Sequence, residues 1–321
     1  MSAKPLAMRD VLLDRIWQTM AVDPKIFFVT ADFGSPVLDR IRADFPSRFL
    51  NVGIAEQNLI NVTAGLALEG YTLFAYAIAP FITLRCYEQI RISLALLSTV
   101  RPMNVNLLGV GAGYSYVVSG PTHQCYEDIT VMRALPNIRI LSPADHVTAG
   151  ALFDLCLGSM GPKYVRLDAQ VLPVIYDAGA PEWKVGYHCH RTGHTVCLVA
   201  TGYMLHTALK VADALAAAGV SVGVVDLFDI THGATDSLFS LLASYTGIVT
   251  LEEGFCGRGG VDAIFFEWIG RQGLTVRMLN IGVQAAYHFE LGSRAELHEQ
   301  VGIGPEAVLR EVTAFLHSLS A

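Results

Sequence analysis

Short apolar, β-branched runs alternate along the chain with longer segments whose apolar residues recur at helical spacing. In one such segment, Glu56–Leu68, the buried-type residues repeat every three or four positions until Gly70 ends the pattern. This alternation predicts an α/β fold with mostly parallel sheets and helices on both faces. The predicted strands are Ile26–Thr30, Thr72–Ala77, Asn104–Val110, Ile138–Ser142, Lys163–Leu167, Thr195–Ala200, Ser221–Val225, Ile248–Leu251 and Leu274–Asn280, and the predicted helices are Glu56–Leu68, Leu84–Ser98, Ala144–Gly158, Leu205–Ala218 and Pro305–Leu319.

The alternation stops between residues 173 and 192, where proline, glycine and aspartate accumulate. Such a composition is typical of a linker between domains. We therefore predict two doubly wound domains, residues 1–172 and 193–321, joined by a linker over 173–192. The residues that indicate the linker are Pro173, Asp177, Gly179, Pro181 and Gly186.

Charge is sparse: only 16% of the 321 residues are charged, and the mean hydropathy is +0.43. So little charge indicates a large surface buried against other chains. The longest apolar run, Tyr71–Leu84, is shorter than the ~20 residues of a spanning helix. A net charge of −7 without a basic cluster argues against nucleic-acid binding. With no apolar signal-peptide core near the N-terminus and six cysteines that form no CxxC pair, we expect a cytoplasmic, obligately oligomeric protein without a metal site of its own.

Two positions are candidates for chemistry. Glu56 opens an apolar helix directly after a turn that contains Gly53. It is either a carboxylate favoured by the helix N-terminus or an acid buried in apolar surroundings, where desolvation raises its pKa. His123 follows the Gly120-Pro121 turn and is either a structural or a catalytic loop histidine. The glycine-rich stretch 108–113 lacks the spacing of a phosphate-binding loop, so we interpret it as a tight strand exit that allows close ligand approach. The stretch 252–260 follows a strand and is either a helix entry or an interface loop, and we interpret it as structural.

Taken together, the motifs resemble the C-terminal half of transketolase and of 1-deoxyxylulose-5-phosphate synthase. The resemblance spans nearly the whole chain, with the motifs in the family's order. It implies a thiamine diphosphate-binding (pyrimidine) fold followed by a transketolase C-terminal-domain-like fold. The matching stretches are Arg48–Gln57, Gly120–Asp128, Met132–Asn137, Ser142–Asp145, Val199–Gly202, Asp226 and Thr250–Glu253.

In this family thiamine diphosphate lies between two chains, and a Gly-Asp-Gly…Asn motif holds its diphosphate and a divalent metal. The present chain contains no Gly-Asp-Gly. The resemblance therefore implies one half of a split enzyme. Its partner is expected to be an N-terminal transketolase subunit that carries the motif and holds Mg²⁺ or Ca²⁺, in an α2β2 heterotetramer.

The resemblance also assigns residue roles. Glu56 is expected to activate the cofactor by hydrogen bonding to the aminopyrimidine ring nitrogen, and Asp32 to lie near the cofactor. Phe81 is expected to pack on the pyrimidine, although a core phenylalanine is the alternative. His123, Ser119 and Arg9 are expected to contact the substrate, a small sugar or keto compound.

Three positions depart from transketolases that act on sugar phosphates. Ser119 replaces an aspartate that binds a sugar hydroxyl, while Gly111 and Ala169 stand where those enzymes have a phosphate-binding His and Arg. We predict transfer of a two-carbon ketol unit, from a ketose phosphate or hydroxypyruvate, to an acceptor that is not a standard sugar phosphate, unless the partner rebuilds the site. Three alternatives stay open: the β subunit of a 2-oxo-acid dehydrogenase-type component that passes an acyl unit to a lipoyl domain, a hybrid that passes the ketol unit to a lipoyl or carrier protein, and a regulatory subunit without activity.

Overall fold

The computed structural model describes residues 4–176 and 182–320. The chain divides into two compact units, the first made of residues 1–112 and 131–180 and the second of 113–130 and 181–321. The chain therefore contributes an early excursion, residues 113–130, to the second unit before it returns to the first. Of the residues that indicated a linker, Asp177, Gly179 and Pro181 lie outside the described residues.

The first unit contains a six-stranded sheet whose neighbouring strands are all paired in parallel, in the order β2-β1-β3-β4-β6-β5. All seven residues of Asn104–Val110, one of the two central strands, are buried, including the polar Asn104 and Asn106. The strands are β1 (Ile26–Thr30), β2 (Phe49–Asn51), β3 (Thr72–Ile78), β4 (Asn104–Val110), β5 (Arg139–Leu141) and β6 (Gly161–Leu167), and the helices are α1 (Met8–Met20), α2 (Pro36–Asp44), α3 (Glu56–Leu68), α4 (Tyr87–Gln89), α5 (Asp128–Arg133, which straddles the unit boundary) and α6 (His146–Gly158).

The region after β3 is less regular than the single helix predicted over Leu84–Ser98. Two π-helical segments, Phe81–Arg85 and Ile90–Leu96, flank the short α4, and a 3₁₀ turn follows at Leu97–Thr99. Side chains bind backbone carbonyls of the preceding turn: Thr83 Oγ1 donates to Ala79 O at 2.7 Å and Cys86 Sγ to Ile82 O at 2.8 Å. Such bonds compete with a regular helical ladder, which accounts for the irregular turns.

The second unit contains a five-stranded sheet in the order β11-β10-β8-β9-β7, parallel except for β7, which pairs antiparallel with β9. Strand β7 has four half-buried, mostly polar residues, so it carries no apolar signal, and it lies within the segment predicted as a linker. The strands are β7 (His188–Arg191), β8 (Val196–Ala200), β9 (Gly223–Asp226), β10 (Gly247–Phe255) and β11 (Arg277–Val283), and the helices are α7 (Met204–Ala217), α8 (Asp236–Leu242), α9 (Val261–Gln272), α10 (Arg294–Gln300) and α11 (Pro305–Ser320).

Both units are thus α/β, which confirms the predicted fold class. The six cysteines are free thiols, and four of them are buried. Within residues 4–176 and 182–320, no helix combines the length and the apolarity needed to cross a bilayer.

Candidate functional site

Glu56 is the first residue of α3 and is only 2% exposed. The turn before it contains Gly53 at φ +76°, a left-handed conformation that glycine adopts without steric penalty. Leu59 and Ile60, in the next helical turn, are also buried, so Glu56 lies on the buried face of α3. A carboxylate at this position is favoured by the partial positive charge of the helix N-terminus.

One interpretation of the sequence expected Glu56 to lie in purely apolar surroundings. The structure differs from that expectation. Arg85 Nη1 donates a hydrogen bond to Glu56 Oε2 at 2.6 Å, which makes a buried carboxylate paired with a cation. The same guanidinium lies over the ring of Phe81, with Cζ 4.4 Å from the ring centroid. The Arg85 side chain is 44% exposed, so the pair is only partly desolvated. Arg85 thereby joins the two residues that the family resemblance assigned to the pyrimidine.

Cys86 follows Arg85 and is buried. Burial raises the pKa of its thiol to about 12, and the negative charge of Glu56 adds to that increase. The thiol is therefore neutral at physiological pH and acts as an apolar neighbour of the carboxylate.

Asp32 lies just after β1, at φ 49°, and is the one non-glycine residue among those described that has a positive φ. Its backbone N–H donates to Asn51 Oδ1 at 3.0 Å, and Asn51 Nδ2 donates to Asp32 Oδ1 at 3.1 Å. Asn51 Oδ1 also accepts from the Gly53 N–H. These bonds compensate the strained backbone and connect Asp32 to the turn that leads into Glu56.

Arg9 lies in the first turn of α1 and is half-buried. Its Nε donates to Asp10 Oδ1 at 2.8 Å, and the same oxygen accepts from Ser35 Oγ at 3.1 Å. Burial opposes the charged form of Arg9, but the hydrogen bond and charge of Asp10, with a contribution from Tyr76, raise its pKa overall. Arg9 is thus a cation that Asp10 holds in place and whose charge Asp10 partly compensates.

His123 and Ser119 belong to the second unit, on a loop closed by paired backbone hydrogen bonds of 3.0 Å between Gly113 and Cys125. Ser119 is exposed and precedes a 3₁₀ turn over Gly120–Thr122. His123 is half-buried, with Nδ1 2.9 Å from Thr122 Oγ1 and the Tyr116 ring edge-on at 6.3 Å. The loop therefore presents a restrained imidazole next to an exposed hydroxyl.

A buried ionic cluster holds the start of this loop. Glu253, at the end of β10, accepts two hydrogen bonds from Arg294, of 3.1 and 2.6 Å, and its Oε1 lies 2.7 Å from His298 Nε2. It also accepts from the Tyr114 N–H at 3.3 Å. Burial opposes ionisation of Glu253, but the charges of Arg294 and His298 outweigh it and hold the pKa of the carboxyl below its usual range.

The predicted site residues are thus divided between the two units. Glu56, Phe81, Asp32 and Arg9 lie in the first unit, and His123 and Ser119 lie in the second. Glu56 and Phe81 are brought together through Arg85, which no sequence motif indicated. Among residues 4–176 and 182–320, no group of three or more His, Cys, Asp or Glu side chains is arranged to hold a metal ion.

Comparison with known families gives two matches that together span most of the chain. The model of the transketolase pyrimidine-binding domain matches residues 4–174, and that of the transketolase C-terminal domain matches residues 187–308.

Some of the individual relatives are named as transketolase subunits. One subunit of the apulose-4-phosphate transketolase of Actinobacillus succinogenes is 31% identical over 266 residues, which cover 83% of this chain and 84% of that protein. The 6-deoxy-6-sulfo-D-fructose transketolase subunit SqwH of Clostridium sp. (strain MSTE9) is 28% identical over 305 residues, covering 94% and 92%. Among solved structures, a split gene transketolase described as an inactive beta4 tetramer superposes with a TM-score of 0.83 at 28% identity, covering 97% of this chain and 98% of that one.

Proposed function

This chain belongs to the transketolase family, and we propose that within a split transketolase it supplies the pyrimidine side of a thiamine diphosphate site together with the C-terminal domain. The chain is a transketolase-like transferase subunit. The observation that carries the proposal is Glu56, a buried carboxylate at the N-terminus of α3 that Arg85 connects to the aromatic face of Phe81.

The residues present fit the aminopyrimidine half of the cofactor. A carboxylate that is buried but reachable by a hydrogen-bond donor suits a protonatable ring nitrogen, and an aromatic face suits a flat heterocycle. Thiamine diphosphate supplies, when bound, a nucleophilic carbon and an electron sink for carbon–carbon bond chemistry. In our proposal Glu56 holds the ring nitrogen and its proton, Phe81 orients the ring, and Asp32, tied to the same turn by Asn51, lies near the cofactor.

The proposal requires a second polypeptide. Two relatives are named as subunits, and a third belongs to a split gene transketolase. Ile54, which lines the same pocket as Glu56, is 76% exposed, and elsewhere in the first unit Leu96 and Val100 are also exposed, which supports coverage by another chain. We propose an N-terminal partner subunit that carries Gly-Asp-Gly…Asn and holds Mg²⁺ or Ca²⁺, in a cytoplasmic α2β2 heterotetramer.

The substrate is proposed to lie outside the usual sugar phosphates. Ser119, Gly111 and Ala169 replace residues that bind a hydroxyl and a phosphate in typical transketolases, and the absence of each charge-assisted hydrogen bond weakens binding by about 1.5–3 kcal/mol. Two relatives are named for apulose 4-phosphate and a sulfonated fructose. These relatives favour ketol transfer over acyl transfer to a lipoyl domain. In the proposal His123 and Arg9 contact substrate oxygens.

The test is Glu56→Gln in the complex with the N-terminal subunit, supplied with thiamine diphosphate and Mg²⁺. Because the amide can neither share nor take up the ring proton, we expect ketol transfer from hydroxypyruvate to fall by about a hundredfold or more. Glu69→Gln, at the exposed C-terminal end of the same helix, is the matched control and should leave turnover unchanged.

Unchanged turnover in Glu56→Gln, with subunits still associated on size-exclusion chromatography, contradicts the assigned role. The substrate proposal is tested separately with a panel of aldehyde acceptors. A strong preference for ribose 5-phosphate contradicts it.

A further inference from the structure

One side chain in the first unit makes both contacts that the proposed pyrimidine site requires. The Arg85 guanidinium donates a 2.6 Å hydrogen bond to Glu56 Oε2 and lies 4.4 Å over the ring of Phe81. Arg85 lies over Phe81 because it ends the π-helical turn that Phe81 begins, and it meets Glu56 at the N-terminus of α3. The site is therefore closed by a residue of the chain itself.

A guanidinium and an aminopyrimidine present similar chemistry to these two residues. Both are flat, both stack on an aromatic face, and both donate an N–H to a carboxylate. Resting on the proposed function, we propose that Arg85 occupies the pyrimidine site while the cofactor is absent and leaves Glu56 when the cofactor enters.

The energetics of the Glu56–Arg85 pair favour replacement of Arg85 by another hydrogen-bond donor. The Glu56 carboxylate is buried, so without a cation or another donor its charge is poorly compensated. Arg85 supplies that compensation, but its own side chain is 44% exposed and already in contact with water. Moving the Arg85 side chain fully into solvent therefore changes its solvation free energy only slightly. Glu56 meanwhile exchanges one hydrogen-bond donor for another.

The surroundings leave room for such a movement. A pocket of about 400 Å³ opens beside the pair, lined by Arg85 and Glu56 together with polar side chains of α3, Gln57, Asn58 and Asn61. On the same helical region, Arg91 is engaged by Glu88 in a surface pair. Arg85 and Arg91 therefore offer a matched comparison between an arginine on Glu56 and an arginine on the surface.

The experiment measures thiamine diphosphate binding by calorimetry in the complex with the N-terminal subunit. If the cofactor has to displace Arg85, removing that side chain removes a competitor. We expect Arg85→Ala to bind thiamine diphosphate about tenfold more tightly than the wild-type complex. Arg91→Ala should match the wild type within twofold.

A second measurement separates displacement from a merely structural effect. In the Arg85→Ala complex, a low, non-denaturing concentration of guanidinium chloride should refill the vacated place and weaken cofactor binding towards the wild-type value. Sodium chloride at equal ionic strength should not weaken cofactor binding to Arg85→Ala. In the Arg91→Ala complex, the two salts should have the same effect on cofactor binding. Arg85→Met, which keeps the aliphatic stem, repeats the affinity measurement if the alanine variant folds poorly.

The outcomes distinguish the two proposals. A wild-type complex that binds no thiamine diphosphate overturns the proposed function and this inference with it. A wild-type complex that binds the cofactor, with Arg85 variants that bind it equally or more weakly, overturns only the inference. Tighter binding that guanidinium specifically reverses supports the assignment.

Discussion

Glu56 in the first unit and Glu253 in the second are both almost fully buried, but their partners differ in number and exposure. Glu253 is bound by Arg294 through two hydrogen bonds, by His298 and by the Tyr114 N–H, and both Arg294 and His298 are themselves buried. Glu56 is paired with Arg85, whose side chain is 44% exposed.

The difference separates a structural acid from one that can change partners. A carboxylate enclosed by buried donors cannot release one without leaving another charge unpaired. A carboxylate held by a half-exposed arginine can exchange that donor at small cost. Burial alone therefore does not distinguish the two glutamates, whereas the exposure of their partners does.

The substitution with the largest expected effect on this comparison is Glu253→Gln. The substitution leaves Arg294 buried without its counter-charge, so we expect the free energy of unfolding to fall by about 3–5 kcal/mol. Urea unfolding followed by tryptophan fluorescence measures this, because two of the three tryptophans, Trp183 and Trp268, lie in the second unit.

The control for this variant is Glu88→Gln, at the exposed pair with Arg91, which should leave the free energy of unfolding essentially unchanged. Equal effects of the two substitutions contradict the structural role of Glu253.

Gly113→Ala tests how rigidly Glu253 is fixed. Gly113 has φ +54°, and a Cβ there would lie 2.7 Å from Glu253 Cβ, so either the loop or the ionic cluster has to move. We expect a loss of at least about 2 kcal/mol, from left-handed strain and the close contact together. Gly120→Ala is the matched control, since Gly120 also has a positive φ but open space around its Cβ position. A loss in Gly113→Ala no greater than in Gly120→Ala argues against close packing on Glu253.

The sequence predicted the strands and helices with the strongest apolar patterns, such as β4 and α3. It did not predict the strands β2 and β7, the π-helical turns after β3, or the helices α1, α2, α5, α8, α9 and α10. Strand β7 is a half-buried edge strand of mostly polar residues, so burial leaves no periodic trace in its sequence. At the first π-helical turn, the side chains of Thr83 and Cys86 bind backbone carbonyls, which an apolar pattern does not record.

The residues of the candidate site likewise divide into those that the sequence predicted and those that it did not. Glu56 and His123 were found through motifs, and their catalytic roles stay predictions. Arg85 was not found, because an arginine that ends an apolar run is ordinarily a solvated residue. Its pairing depends on two segments that are separated by 29 positions and meet only in the folded unit. The partners of Glu253 are separated from it by 41 and 45 positions, with no periodicity to connect them.

Acid titration should distinguish the cluster from ordinary surface carboxylates. Because the folded-state pKa of Glu253 is depressed, its ionised form stabilises the fold above the ordinary glutamate pKa, and that stabilisation is lost as the pH falls below it. We expect this carboxyl to contribute a slope of up to about 1.4 kcal/mol per pH unit between pH 4 and 2. In Glu253→Gln this contribution should be absent. Parallel acid profiles for the variant and the wild type contradict the assignment.

The smallest expected effect is that of Arg85→Met on the stability of the unassembled chain. Glu56 loses its cation, but the N-terminus of α3 still favours the carboxylate, and the adjacent pocket admits water. We therefore expect a loss of about 1 kcal/mol in urea unfolding, well below that of Glu253→Gln. Arg91→Met, which removes an arginine from a surface pair, should leave the free energy of unfolding essentially unchanged. A loss of about 3 kcal/mol or more in Arg85→Met makes Glu56–Arg85 a structural pair like Glu253–Arg294, because a side chain on which the fold depends so strongly cannot give way to a cofactor.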